Sequence, residues 1–180
     1  MSTARAVQFP LPIASTVEQL YVLASSQGYG REDDAAVIKA LYPNRPEGQT
    51  VKAGLDDSSA IDSVVNQLCA IHIAVGAEAI AFAGKLNLDK RLVFDILSSA
   101  AASSRMFVDR VPRMLDSDWT SGTTLANMTE DLGTALVESK GVKSFCPISA
   151  IVHSIYLSVD AQGYAQESDA GVIRHWPLAA

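Results

Sequence analysis

Asp62, Asn66, Cys69 and Ile73 are spaced by four, three and four residues, so a helix carrying them presents all four on one face. A carboxylate and a carboxamide one turn apart can exchange hydrogen bonds with a bound small molecule, and the carboxylate can take up a proton. Asp62 and Asn66 are therefore the two residues on this face able to do chemistry. An acid in the first turn of a helix also suits the helix dipole, which leaves Asp62 a purely structural role as well. Asn66 lies in an apolar run and needs a partner if buried. Glu130 and Asp131 form a second acidic pair, for which a solvated helix face is the plainer account of Glu130.

Other constellations carry less chemistry. His72, His153 and His175 do not show metal-ligand spacing, and no metal is expected. His72, in an apolar helix, reads first as a core histidine. Serines are plentiful, but no nucleophile elbow accompanies them. Gly28-Tyr29-Gly30 opens a G-x-G pattern after a helix rather than after a strand, so it reads as a helix stop, and no cofactor is expected. Cys69 and Cys146 read as small core residues rather than a disulfide, which fits a reducing, cytoplasmic compartment. Arg105 and Arg110 flank Met106-Phe107 and are expected at the surface.

The element that must position the candidate pair is residues 58–86. Apolar residues recur there at Ile61, Val64, Val65, Leu68, Ile71, Val75 and Ala79, one stripe of a helix that is apolar almost all round and is therefore expected to be buried. Ala70, Ala74, Gly76 and Ala77 thin the other side for close approach. Upstream, Pro12 starts a helix to about Gln27, Gly28 stops it, and Asp33 or Asp34 caps a second. Residues 43–57 are a polar linker, with caps for the long helix at Asp57, Ser58 and Ser59. Downstream come helices around Leu92–Leu97 and Met106–Met114, one from about Thr124 to Lys140, and a pair over Pro147–Ala161 and Ser168–Trp176. No run alternates as a strand would. The fold class is all-α.

Composition narrows the partners. Charged residues make up 19% of the 180, the net charge is −6, and no basic cluster exists, so nucleic acid is not expected. MSTARAVQFPLP lacks the apolar centre of a secretory peptide, and Glu78 inside the one-sided long run argues against a membrane span.

Residues 12–39 match residues 147–174 without a gap, pairing Tyr21 with Tyr156, Gly28 with Gly163 and Val37 with Val172 at a constant offset of 135 (156 − 21). The shared Gln-Gly-Tyr and Asp-Ala-x-Val-Ile mark a true internal repeat. The long helix with Ala77-Glu78-Ala79, AAASSRMFVDRVPRML at 100–115, EDLG at 130–133 and the tail QGYAQESDAGVI carry a resemblance. From about Ser59 to Trp176 the chain resembles the C-terminal helical domain of the β-hydroxyacid dehydrogenases, such as the 3-hydroxyisobutyrate, threonate and 6-phosphogluconate dehydrogenases.

The resemblance implies a 6-phosphogluconate dehydrogenase C-terminal-like bundle around one long central helix. Residues 1–43 would be an extra copy of the terminal hairpin, 44–57 a linker and 58–180 the domain. It also implies a Rossmann domain for the nicotinamide cofactor, of which the sequence shows nothing, and two lysines. Asp62 stands at the first lysine position while Asn66 keeps the asparagine; Glu130 stands at the second while Asp131 remains. A carboxylate at ~4 Å from an anionic substrate repels it by a few kcal/mol in an intermediate dielectric, so no dehydrogenase chemistry is expected.

What the resemblance leaves is a pocket, since it turns that face of the long helix toward the substrate, with Asp62 and Asn66 as candidate catalytic residues and Cys69, His72, Ile73, Met106, Phe107, Asp131 and Tyr156 as substrate-binding residues. The expected function is a cofactor-independent lyase, isomerase or cyclase, including pericyclic ring closure, acting on a hydrophobic small molecule of secondary metabolism. The alternatives are a non-catalytic scaffold that pairs with an intact dehydrogenase, or a fragment of a dehydrogenase fusion. The family's helical domains form intimate dimers, so a homodimer is a further expectation.

Overall fold

A computed structural model describes residues 1–43, 57–120 and 122–177. Its helices are α1 (Ser2–Ala6), α2 (Pro12–Ser26), α3 (Val37–Leu41, entered through a 3-10 turn at Asp34–Ala36), α4 (Asp57–Lys85), α5 (Lys90–Ser99), α6 (Arg105–Asp116), α7 (Leu125–Gly141) and α8 (Pro147–Val159). A π turn at Asp160–Tyr164 and a 3-10 helix at Asp169–His175 follow. Among the described residues there is no strand, only an isolated bridge between Thr124 and Ser168. The all-α, dehydrogenase-like helical bundle is the observed architecture. The expected linker lies, apart from Pro43 and Asp57, outside the described residues, as do the side chains of Asp57 and Ser59, two of the three caps expected for α4.

Local chemistry accounts for the boundaries. Asp89, Ser104 and Thr124 each accept hydrogen bonds from amides in the first turns of α5, α6 and α7. Pro12 and Pro147 start α2 and α8, where a missing amide hydrogen costs nothing. Asp33, one of the two expected caps, accepts from the Ala35 amide.

α4 is the axis of the bundle and packs on α6, α7, α8 and the terminal 3-10 helix. Its buried face is the small-residue face: Ala70, Ile73, Ala74, Ala77, Ile80 and Ala81 are sealed in the core. Gly76 shows why the residues there are small. A Cβ at that position would stand 3.0 Å from the Phe107 ring and 3.3 Å from Val111, both on α6. The helix is not buried all round as expected, for the larger aliphatic stripe faces outward. Ile61, Val64, Val65, Leu68 and Val75 are 44–61% exposed. The neighbours approach the face where backbones can come close, and the bulkier face is left outward. By length and composition α4 could cross a membrane; here its inner face is part of the core.

The repeat is written in the backbone as well. Gly28 and Gly163 both have φ +95°. Asp33 and Ser168 share φ −54°, with ψ 148° and 144°. The match begins before the aligned residues: Val7 and Val142 have φ −96° and −94°, and Gln8 and Lys143 have φ 53° and 56°. α1 therefore corresponds to the last turn of α7. The two hairpins lie against each other through α2 and α8.

Candidate functional site

The first turns of α4 face α7 across an open cleft of about 350 Å³. Asp62, Ser63 and Asn66 line it from α4, and Glu130, Asp131 and Glu138 from α7. The helical spacing of each set aims it across the gap. Ser63 donates its hydroxyl hydrogen to the Glu138 carboxylate, tying the walls together. Asp62 and Glu130 are exposed, while Asn66 and Asp131 are half-buried. Partial burial, and next the neighbouring Glu130 charge, push the Asp131 carboxyl above its usual range. Among the described residues no basic side chain lines the cleft. Four carboxylates can hold a cation or accept protons, but they repel a carboxylate or a pyrophosphate. The described residues thus do not fit a nicotinamide dinucleotide.

The structure brings Asp62, Asn66 and Asp131 together and leaves the other expected residues outside the cleft. The face they were to share runs out of it along α4: Cys69 is half-buried, and Ile73 is sealed in the core. His72 is exposed rather than a core histidine. Met106 packs on the core surface, and Phe107 is buried with its ring 5.7 Å from that of Phe94. Tyr156 has no exposed surface. Its hydroxyl meets no partner among the described residues, and burial, then the Asp169 charge, push its pKa well above the usual phenol value. The expected apolar pocket is a polar one.

Two buried carboxylates went unassigned in the sequence. Glu78 is 5% exposed and accepts from the amides of Ile13 and Ala14, both at 2.9 Å, so it caps α2 from a distant helix. Desolvation pushes its pKa up, and the two amides oppose this. Asp169, fully buried, accepts from Arg110 Nε at 2.7 Å. Burial works against the Arg110 charge and the Asp169 pairing more than offsets it, leaving its pKa raised. Arg110 is thus largely withdrawn from the surface expected for it. The signal for Asp169 was its place in the repeat, opposite Asp34; Glu78 had only its isolation in an apolar run.

A family profile described as "NAD-binding of NADP-dependent 3-hydroxyisobutyrate dehydrogenase" matches residues 48–176. The chain belongs to that family. It is similar to the L-threonate dehydrogenase of Cupriavidus necator, 33% identical over 115 residues, which are 63% of this chain and 39% of that protein. The L-threonate dehydrogenase of Escherichia coli K12 is 27% identical over 158 residues, 87% of this chain and 51% of that protein. A 3-hydroxyisobutyrate dehydrogenase structure from Salmonella typhimurium superposes with a TM-score of 0.62 at 27% identity, covering 63% of this chain and 40% of that one. The chain thus spans about four- to five-tenths of the length of these relatives.

These relatives overturn the expected cofactor-independent lyase, isomerase or cyclase. They are named as dehydrogenases, not as ring-forming enzymes. The physical reason agrees, since an open cleft walled by carboxylates neither desolvates nor shapes a hydrophobic substrate.

Proposed function

We propose that this chain is a helical domain of the hydroxyacid dehydrogenase kind that supplies packing and pairing surface and carries no hydride transfer of its own. The observation that supports this is Asp62, placed in a cleft with Glu130, Asp131 and Glu138 where the family resemblance calls for lysine. An ammonium there would stabilise the developing oxyanion of a hydroxyacid; a carboxylate opposes it. On this reading residues 1–43 are the tail hairpin of a second such unit, seated on α4 through Glu78, and the protein works in the cytoplasm.

The test takes its substrates from the relatives' names. Purified protein is incubated with NAD⁺ or NADP⁺ and either L-threonate or 3-hydroxyisobutyrate, and nicotinamide reduction is followed by absorbance. No reduction is expected, and titration with NADPH in a calorimeter should give no saturable heat. Turnover, or stoichiometric cofactor binding, would overturn the reading.

A further inference from the structure

We infer that the first hairpin docks an extended, arginine-bearing segment of a partner protein in the groove between α2 and the turn at residues 30–34. The argument is the difference between the two copies of the repeat. At the second copy, the segment that leads into α7 exchanges four backbone hydrogen bonds with the turn at residues 165–169. Ser168 and Asp169 donate to the carbonyls of Trp119 and Thr123 at 3.0 Å, and Leu125 and Ala126 donate to those of Glu167 and Ala165 at 2.9 Å. Arg110 donates to the buried Asp169 carboxylate. The Arg174 guanidinium lies over the rings of Trp119 and Tyr164. Recognition there is main-chain pairing, with side chains choosing at a few positions.

The first copy has the same turn. Gly30, Glu32, Asp33 and Asp34 stand where Ala165, Glu167, Ser168 and Asp169 stand. The internal bonds repeat as well: Ala36 donates to the Asp33 carbonyl at 2.9 Å as Gly171 does to Ser168 at 2.8 Å. Its outer face is open. The amides of Asp33 and Asp34 and the carbonyls of Gly30 and Glu32 meet no backbone partner among the described residues. Tyr21 is 45% exposed where its counterpart Tyr156 is sealed, and Ile38 is 52% exposed where Ile173 is buried. Tyr21, Tyr29, Asp33 and Ala36 line a groove of about 220 Å³. Lys39, the counterpart of Arg174, lies over Tyr29 with no second ring on it among the described residues.

The differences state what the groove takes. Asp34, exposed where Asp169 is paired, calls for an arginine on the incoming chain. A Cβ on Gly171 would stand 3.2 Å from a δ-carbon of Leu125. Ala36 carries that Cβ, so the groove takes a valine where the second copy takes a leucine. A second copy of this chain offers no such segment, because its own is paired with its second hairpin. The occupant is a different protein with an exposed extended stretch of this chemistry. The inference rests on the repeat and not on the missing hydride chemistry.

The probe is a labelled peptide of residues 105–127 of this chain carrying Leu125→Val, titrated into the full-length protein and followed by fluorescence anisotropy. Saturable binding is expected, about ten-fold tighter than for the peptide that keeps Leu125. Ala36→Gly in the protein should cancel that preference. Asp34→Pro removes an amide donor and a carboxylate together. Proline is tolerated there because Asp33 already has φ −54° and ψ 148°. This variant should weaken binding by about ten-fold or more. Asp34→Asn keeps the amide and should weaken binding less, by a loss that high salt removes. It changes only an exposed side chain, so it decides the case should Asp34→Pro lose its helical circular dichroism. No saturable binding, or binding indifferent to both changes at Asp34, overturns the inference. A preference for valine that survives Ala36→Gly overturns it too.

Discussion

The Glu78 carboxylate accepts from the amide nitrogen of Ile13 at 2.9 Å, across 65 residues of chain, and its other oxygen accepts from Ala14 at the same distance. One side chain thus serves as the cap that α2 does not provide for itself. Replacing Glu78 with Ala leaves both amides without an acceptor and should cost about 2–3 kcal/mol, since two hydrogen bonds to a charged group, each worth about 1.5–3, are partly offset by the desolvation of the buried carboxylate. Urea unfolding at neutral pH measures this.

The same residue predicts a pH dependence. Burial raises its folded-state pKa above the ordinary 4.5, so the folded state holds the proton more tightly than the unfolded chain does. The extra stability that this tighter proton brings is fully present below the unfolded value and is lost as pH rises through the folded one. The stability difference between wild type and Glu78→Gln, which cannot titrate, should therefore be larger at acid pH than at neutral pH. Urea midpoints for the two proteins across that range give the result, and a difference that grows with pH would contradict it.

Two glycines inside helices should respond to alanine in opposite directions. At Gly76 the new Cβ would meet the Phe107 ring at 3.0 Å and Val111 at 3.3 Å, in a core with no room to yield. The overpacking penalty of about 1–3 kcal/mol then exceeds the gain of about 1 kcal/mol from helix propensity. At Gly133 the nearest atom is Nε2 of His153 at 3.4 Å, an ordinary contact with the end of a movable side chain. Gly133→Ala should stabilise by about 0.5–1 kcal/mol. Thermal melts of the two variants decide the contrast.

The same two faces of α4 show what could be read from the sequence. Helix punctuation was legible because it is local: Pro12, Gly28 and Asp33 do where they stand what their chemistry requires. The assignment of faces was not, because α4 is apolar on both sides, and periodicity alone favours the larger residues as core. Which side is buried depends on how closely α6 can approach Gly76, a property of the pair and not of either sequence. Asp62 and Asn66 share a face because i, i+4 spacing survives into three dimensions, and the packing of α7 on α4 brings Asp131 to them. Ile73 lies two turns past Asn66 on the same row, yet the cleft ends before it and the core begins.

Arg110 and Asp169 form a buried ion pair joining α6 to the terminal 3-10 helix. Arg110→Met would leave Asp169 a single hydroxyl partner, Ser168, at 3.2 Å. An uncompensated buried carboxylate costs about 3–5 kcal/mol. Arg110→Met combined with Asp169→Leu removes both charges and should recover most of the loss, so the two effects will not add. Urea unfolding of the single and double variants gives the coupling directly.

His175 titrates beside a fluorophore. Its Nδ1 lies 2.6 Å from the Ser158 hydroxyl oxygen, and its ring meets the edge of Trp176 with centroids 4.9 Å apart. Burial lowers its pKa below the ordinary 6.5, so the folded state favours the neutral ring. The stability this brings is complete above 6.5 and is lost as pH falls through the folded value. A protonated imidazole against the indole quenches its emission. In a Trp119→Phe background, where Trp176 is the remaining tryptophan, fluorescence should fall on acidification with a midpoint below 6.5. Adding His175→Gln should abolish the transition, and a midpoint above 6.5 would show that burial does not govern this ring.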